Sequence, residues 1–167
     1  HVLFYNKTLL DNAGIEYPSD DPSERLTWEE LVPMAQKVMD ASGDPTVFGL
    51  TFEQISRAYQ VLPLVNSMGA EGIGEDGTTV DGYINSEEFI SAMQWYSDIH
   101  NEYNISPKGV APAETVGLFA SGKIAFLCAN IFDYKTFEKT EGLEYGFAPF
   151  PAFEDGIAAT PTDSFHI

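Results

Sequence analysis

The stretch Phe119-Ala120-Ser121-Gly122-Lys123-Ile124-Ala125-Phe126-Leu127-Cys128-Ala129-Asn130 decides the fold. Pro112 opens a helix just upstream and Gly122 stops it. Ile124 to Asn130 is then a continuous apolar run of strand length, the pattern of a strand covered on both faces. Working outward, Ile131 to Lys139 reads as helical and Tyr145 to Phe150 as a strand. Asn85 with Glu88 caps a helix to about Asn101, with Phe89, Met93, Tyr96 and His100 on one face and Ile99 beside them. Gly69 to Ile84 is Gly-rich and reads as a hairpin around Asp76-Gly77. Glu53 to about Met68 is helical, with Pro63 expected to break it.

Nearer the start, Val47 to Leu50 is a short strand. Thr27 and Glu30 form a capping box that opens a helix to about Met39. Val2 to Tyr5 reads as a strand, followed by a helix from Asn6 to Ala13 closed by Gly14. Strands alternating with helices indicate an α/β lobe around a mostly parallel or mixed sheet. The first residues and Phe165-His166-Ile167 both read as strand already under way, so the expectation is an excised piece of a longer protein.

The 167 residues are 44% hydrophobic and 20% charged, enough for a real core. Lys plus Arg is 8 and Asp plus Glu is 26, a net charge of −18. That sign disfavours nucleic acid and anionic membrane surfaces as partners. The single cysteine, Cys128, lies inside the apolar run and reads as a small buried hydrophobe. Trp28 and Trp95 lie on helices and read as core.

No enzyme constellation stands out. Asp76 to Glu87 has the outline of a calcium loop, but Asp81 stands where the turn needs Gly. His1, His100 and His166 share no zinc spacing. The glycines of residues 69–82 lack the lysine of a phosphate loop, and no nucleophile motif occurs. With 26 acids, nothing selects a catalytic pair, so no cofactor, metal or catalytic residue is expected. Aromatics make up 13% of the chain, and Tyr59, Phe132, Tyr134, Phe153 and Phe165 sit at element ends or in loops. Aromatic faces suit the C–H faces of sugars, while ordinary packing is the alternative.

Six segments, in order, carry a resemblance. Leu3-Phe4-Tyr5-Asn6-Lys7-Thr8-Leu9-Leu10-Asp11-Asn12-Ala13-Gly14-Ile15 resembles the "YYNKxLFxxAGI" stretch of extracellular sugar-binding proteins of ABC importers. Thr27-Trp28-Glu29-Glu30-Leu31 is similar to their "TWDEL". Leu62-Pro63-Leu64 with Met68-Gly69-Ala70, Asp76-Gly77 with Asn85-Ser86-Glu87, Phe119 to Phe126, and Tyr145 to Pro151 resemble four further motifs. The maltose-binding branch aligns best. The resemblance implies a type II-like periplasmic binding protein lobe, a mixed sheet flanked by helices. The chain would be mostly the C-terminal lobe of a two-lobed protein, with the first lobe and the C-terminal helices missing.

It also implies an extracytoplasmic location, periplasmic or lipid-anchored. It further implies a mono- or oligosaccharide ligand in the interlobe cleft and a membrane permease as partner. Position by position, Tyr59 matches a cleft aromatic, Arg57 a polar contact, and Phe132 the aromatic that stacks on sugar. Asn130 is expected to bond a hydroxyl. Thr162-Asp163-Ser164 stands where the family has a Gly-Gly-Ser-like loop, so Asp163 and Ser164 join the expected ligand-binding set. The alternatives are a polyol or other non-sugar solute, a carbohydrate-active enzyme, or an adhesion module.

Overall fold

A computed structural model describes residues 1–53 and 58–154. Strand β1 (Val2–Asn6) turns directly into helix α1 (Lys7–Ala13). The Asn6 side chain accepts from the Leu9 N–H at the start of the helix, and Gly14, at φ 60°, ends it in the left-handed conformation. Helix α2 (Trp28–Ser42) opens with the expected capping box and runs three residues beyond Met39, with Gly43 as its C-terminal cap. Strand β2 (Phe48–Phe52) precedes helices α3 (Ala58–Ser67) and α4 (Glu87–Asn101). Helix α5 (Pro112–Ala120) leads into strand β3 (Ile124–Ala129). A 3-10 turn (Ile131–Asp133), the short helix α6 (Tyr134–Phe137) and strand β4 (Tyr145–Ala148) complete the described elements.

The sheet has the order β2-β3-β1-β4. Strand β3 is parallel to β2 and antiparallel to β1, and β1 is antiparallel to β4, so the sheet is mixed. Every residue of β3 is buried, as its unbroken apolar run requires. The register sets Leu3 opposite Cys128, Phe4 opposite Leu127 and Tyr5 opposite Phe126. Alternation then divides the core. Leu3, Tyr5, Phe126 and Cys128 join the cluster under α1 to α4. Phe4, Leu127 and Ala129 join Phe119 of α5 and Phe137 of α6 on the other face.

Trp28 is fully buried at the centre of the larger cluster, its ring 4.9 Å from that of Trp95 and 5.1 Å from that of Phe150. Its indole N–H donates to Ser67 Oγ at 3.0 Å, and Ser67 donates onward to the Leu64 carbonyl. The polar end of the largest core residue is thereby satisfied. Cys128 is buried, and burial pushes its thiol well above the ordinary range, which makes it structural and unreactive.

Four sequence expectations change. Helix α3 runs through Pro63 without a break. The proline forfeits one backbone hydrogen bond, but its neighbours Leu64 and Val65 are fully buried and hold the helix on the core. The Asp76-Gly77 turn forms, with Gly77 N–H donating to the Gly74 carbonyl and Gly74 N–H to that of Thr79. Its flanks do not pair as strands, so no hairpin follows. The cap of α4 is Ser86, one residue later than expected, because the Asn85 side-chain oxygen is already taken by the Gly82 N–H. Phe153 is core, 5% exposed, and packs on Trp95. The strand-like end Phe165 to Ile167 lies outside the described residues.

Gly49 marks the closest approach of β2 to α2. A Cβ there would lie 2.5 Å from the Ala35 Cβ and 2.6 Å from the Ala35 carbonyl oxygen. Both obstacles belong to a buried helix and cannot swing aside. Gly49→Ala should therefore destabilise the fold by about 1–3 kcal/mol, the usual range for overpacking. Urea unfolding followed by circular dichroism measures it; an unchanged midpoint would mean that β2 and α2 can separate freely.

Candidate functional site

The parallel strands β2 and β3 end at the same edge of the sheet, and antiparallel β1 begins there, with Val2 opposite Ala129. In α/β sheets the crevice beyond the carboxyl ends of the strands is where ligands bind, because backbone and loop groups converge there. At this edge Glu53 N–H donates to the Cys128 carbonyl at 2.7 Å, which docks the end of β2 onto β3. Asn130 N–H reaches Glu53 Oε2 at 3.4 Å. Residues 77 positions apart are thus brought into one cluster.

Asn130 caps the following turn, its side-chain oxygen accepting from the Phe132 N–H at 3.0 Å. This cap bends the chain sharply after β3 and presents the next residues outward. Phe132 is 46% exposed and Tyr134 38%, with Ile131 also exposed. Three large side chains within four residues face solvent beside a fully buried strand. The Lys135 ammonium lies 5.5 Å from the Phe132 ring centre.

Asp133 is half-buried, and its Oδ2 is buried without a hydrogen-bond partner. Burial, with the Glu53 carboxylate as a second cause, pushes the Asp133 carboxyl up to about 6. Asp133 Oδ2 is closed off from solvent, so the exposed Phe132 ring, and not this oxygen, is the surface a ligand would meet here. A second carboxylate nearby repels anions from the same place.

Of the expected site residues, Asn130 and Phe132 stand together at the end of β3. The acceptor of Asn130 is engaged in the cap, so a hydroxyl would not meet a bare Asn130 oxygen. Arg57, Asp163 and Ser164 lie outside the described residues; Tyr59 begins α3, and its side chain lies outside them too. Glu53 and Asp133 escaped the sequence reading. Glu53 was legible in principle, as the residue that ends a strand parallel to β3. Asp133 was not, because only the turn after Asn130 brings it to Glu53. Among the described residues no cluster of His, Cys, Asp or Glu has the makings of a metal site. Asp76, at the start of the calcium-like outline, spends its carboxylate on Thr78 and Thr79, which hold it well below its usual range.

The comparisons with known proteins fit this architecture. A family model described as bacterial extracellular solute-binding protein matches residues 1–164. The chain belongs to that family. A putative binding protein of Brucella abortus is 26% identical over 163 residues, which are 95% of this chain and 37% of that protein. An ABC substrate-binding protein from Listeria monocytogenes, solved in complex with cycloalternan, superposes with a TM-score of 0.75 at 26% identity. It is matched over 93% of this chain and 38% of its own. The maltotriose-binding protein of Thermus thermophilus, solved with maltotriose, gives a TM-score of 0.68 at 26% identity, over 93% of this chain and 38% of its own. This member of the solute-binding family therefore spans little more than a third of the relatives it matches. Its mixed sheet flanked by helices has the architecture of their type II lobes.

The Asp133 carboxyl makes a signed prediction. A group whose folded pKa is raised binds its proton more tightly when folded. Stability is thus greatest with Asp133 protonated, and it falls as pH rises from about 4 to about 6. Asp133→Asn should remove that slope and raise stability at pH 7 by about 1 kcal/mol, after discounting for solvent screening. Thermal melts of both proteins across pH 4–7 check this; parallel curves would place Asp133 in water.

Proposed function

We propose that this chain forms mostly the second lobe of an extracytoplasmic, two-lobed binding protein. It would take a mono- or oligosaccharide in the interlobe cleft and pass it to the membrane permease of an ABC importer. The observation that carries this reading is the Phe132 ring, 46% exposed at the carboxyl end of the central strand. An exposed aromatic face suits the C–H face of a neutral sugar. The sugar ligands named for the Listeria and Thermus proteins support it. Tyr59, Arg57, Asp163 and Ser164 are proposed to complete this lobe's share of the site, with Asn130 shaping the turn that presents Phe132.

The mechanism is hinge closure. A sugar that touches both lobes stabilises the closed state by its differential contacts, and only that state presents the arrangement a permease would select. No turnover is involved, so the protein is proposed not to be an enzyme. A phosphorylated solute is disfavoured, because Glu53 and Asp133 would repel it.

The test uses the full-length protein and a sugar panel. Ligand at 100 times its dissociation constant should add about 2.7 kcal/mol of stability, a thermal shift of several degrees, with the sugar recovered unchanged. A shift with polyols alone would move the solute class, and a cleaved product would establish an enzyme. Phe132→Ala should weaken sugar binding about tenfold, a loss of about 1.4 kcal/mol, with the melting temperature unchanged. Unaltered affinity in calorimetry would remove Phe132 from the site. The 167-residue lobe alone should bind poorly, since contacts from the first lobe are lacking; micromolar binding by it would count against a shared cleft.

A further inference from the structure

Strand β4 is the outermost strand of the sheet on its side and pairs with β1 alone. The Lys7 N–H donates to the Glu144 carbonyl, in the register that sets Asn6 opposite Tyr145 and Tyr5 opposite Gly146. Bonded pairs alternate along an antiparallel ladder. Gly146 and Ala148 therefore bond toward β1, and the N–H and C=O groups of Tyr145 and Phe147 point away from it. Among the described residues nothing bonds those four groups. The open stretch closes in both directions. The Leu143 N–H is spent on the Thr140 carbonyl, and Pro149 has no N–H to offer.

A cavity of about 570 Å³ is lined by residues 145–147 together with Tyr5, Lys7, Ser19 and Asp20. Three consecutive strand residues line one cavity along the strand's edge, because their side chains alternate between faces. Gly146 makes room for the opposite wall, since a Cβ there would collide with the Tyr5 ring and hydroxyl. Tyr5 stacks on Tyr17 at 5.6 Å, and the Lys7 ammonium lies 5.5 Å from the Tyr17 ring centre. Lys7 and Asp20 do not pair; the ion pair among the described residues is Lys123–Asp44. An ammonium and a carboxylate thus line one cavity without neutralising each other. The cavity sits toward the Asn6 end of β1, whereas Phe132 lies beyond the Val2 end.

We propose that this cavity binds a short peptide with free ends, about two or three residues long, as an added strand on β4. Donors and acceptors recurring at every second residue of an extended edge match a polypeptide backbone, and a sugar ring carries no such repeat. The blocked positions at Leu143 and Pro149 restrict pairing to Tyr145 and Phe147, too little for a long strand of another protein. The two unpaired charges select free termini: Asp20 takes the terminal ammonium and Lys7 the terminal carboxylate, each by a charge-assisted bond. A segment inside a longer chain has neither terminal charge. The inference goes beyond the sugar reading and does not depend on it, because the two sites lie at opposite ends of the strands.

The experiment is calorimetry on the full-length protein, with and without saturating sugar, using trialanine and Ala-Tyr-Ala as probes. The peptides should bind equally well in both conditions. Acetylating the probe's amino end or amidating its carboxyl end should each weaken binding at least tenfold, as should Asp20→Asn and Lys7→Gln, with sugar affinity unchanged. Phe147→Pro removes an N–H that lies outside the ladder, so it should abolish peptide binding and keep the melting temperature. Phe147→Ala retains that N–H and should retain binding. If Phe147→Pro fails to fold, the blocked probes on the wild-type protein decide the matter. Failure of both free probes at millimolar concentration overturns the inference, and so does equal binding of free and blocked probes. Peptide binding that saturating sugar or Phe132→Ala abolishes places the peptide in the interlobe cleft and overturns it too. A protein that binds the peptides but no sugar overturns the sugar reading and leaves this one supported.

Discussion

Strand β3 is the constraint on which the rest depends. It is buried on both faces and paired on both edges, so each residue of Ile124–Ala129 is specified four ways. A slip of one residue would exchange Phe126 and Cys128 with Leu127 and Ala129 between two cores of different shape. The cluster under α1 to α4 is built around Trp28, and the other around the rings of Phe4, Phe119 and Phe137. Phe4 lies 5.0 Å from Phe137, and Phe119 lies 4.7 Å from Phe137. Neither arrangement accepts the other's side chains at native packing density.

That fixed strand also makes the site. Because β3 cannot move, the point where it leaves the sheet is a rigid origin for the turn at Asn130. The Asn130 cap converts the end of a strand into a platform that holds Phe132 and Tyr134 outward. Parallel pairing with β2 delivers Glu53 to the same edge, where burial first and the Glu53 carboxylate second raise the Asp133 pKa. A fold that buries its centre completely can support exposed aromatic and unpaired polar groups at its rim, because their local penalty is small beside the core. By contrast, the exposed Lys123–Asp44 pair, at 2.9 Å, adds little to stability.

Charge and apolar exposure follow a similar division of labour. The segment that joins α3 to α4 carries Glu71, Glu75, Asp76 and Asp81 and no lysine or arginine. There the chain forgoes regular pairing and is shaped by side-chain bonds from Asp76 and Asn85. A hairpin would have turned alternate side chains inward; the observed turns leave the aliphatic residues outside among the carboxylates.

The sequence by itself determined the elements whose signals are local. The Thr27–Glu30 capping box, Gly14 as a helix stop, the α5–β3 boundary at Gly122 and the buried run of β3 were all legible, because each depends on neighbours within a few positions. The resemblance carried by six ordered motifs supplied the family in the same way. Tertiary structure decided what depends on distant partners. Pro63 stays helical because the core holds Leu64 and Val65 in place, and the Asp76-Gly77 turn lacks strands because the Gly74–Thr79 bond is not extended into a ladder. Phe153 turns inward onto Trp95, whereas Phe132 stays outside. Glu53 and Asp133 come together only because β2 lies parallel to β3, a long-range pairing of Phe48 with Ile124 and Leu50 with Phe126 that no local pattern records.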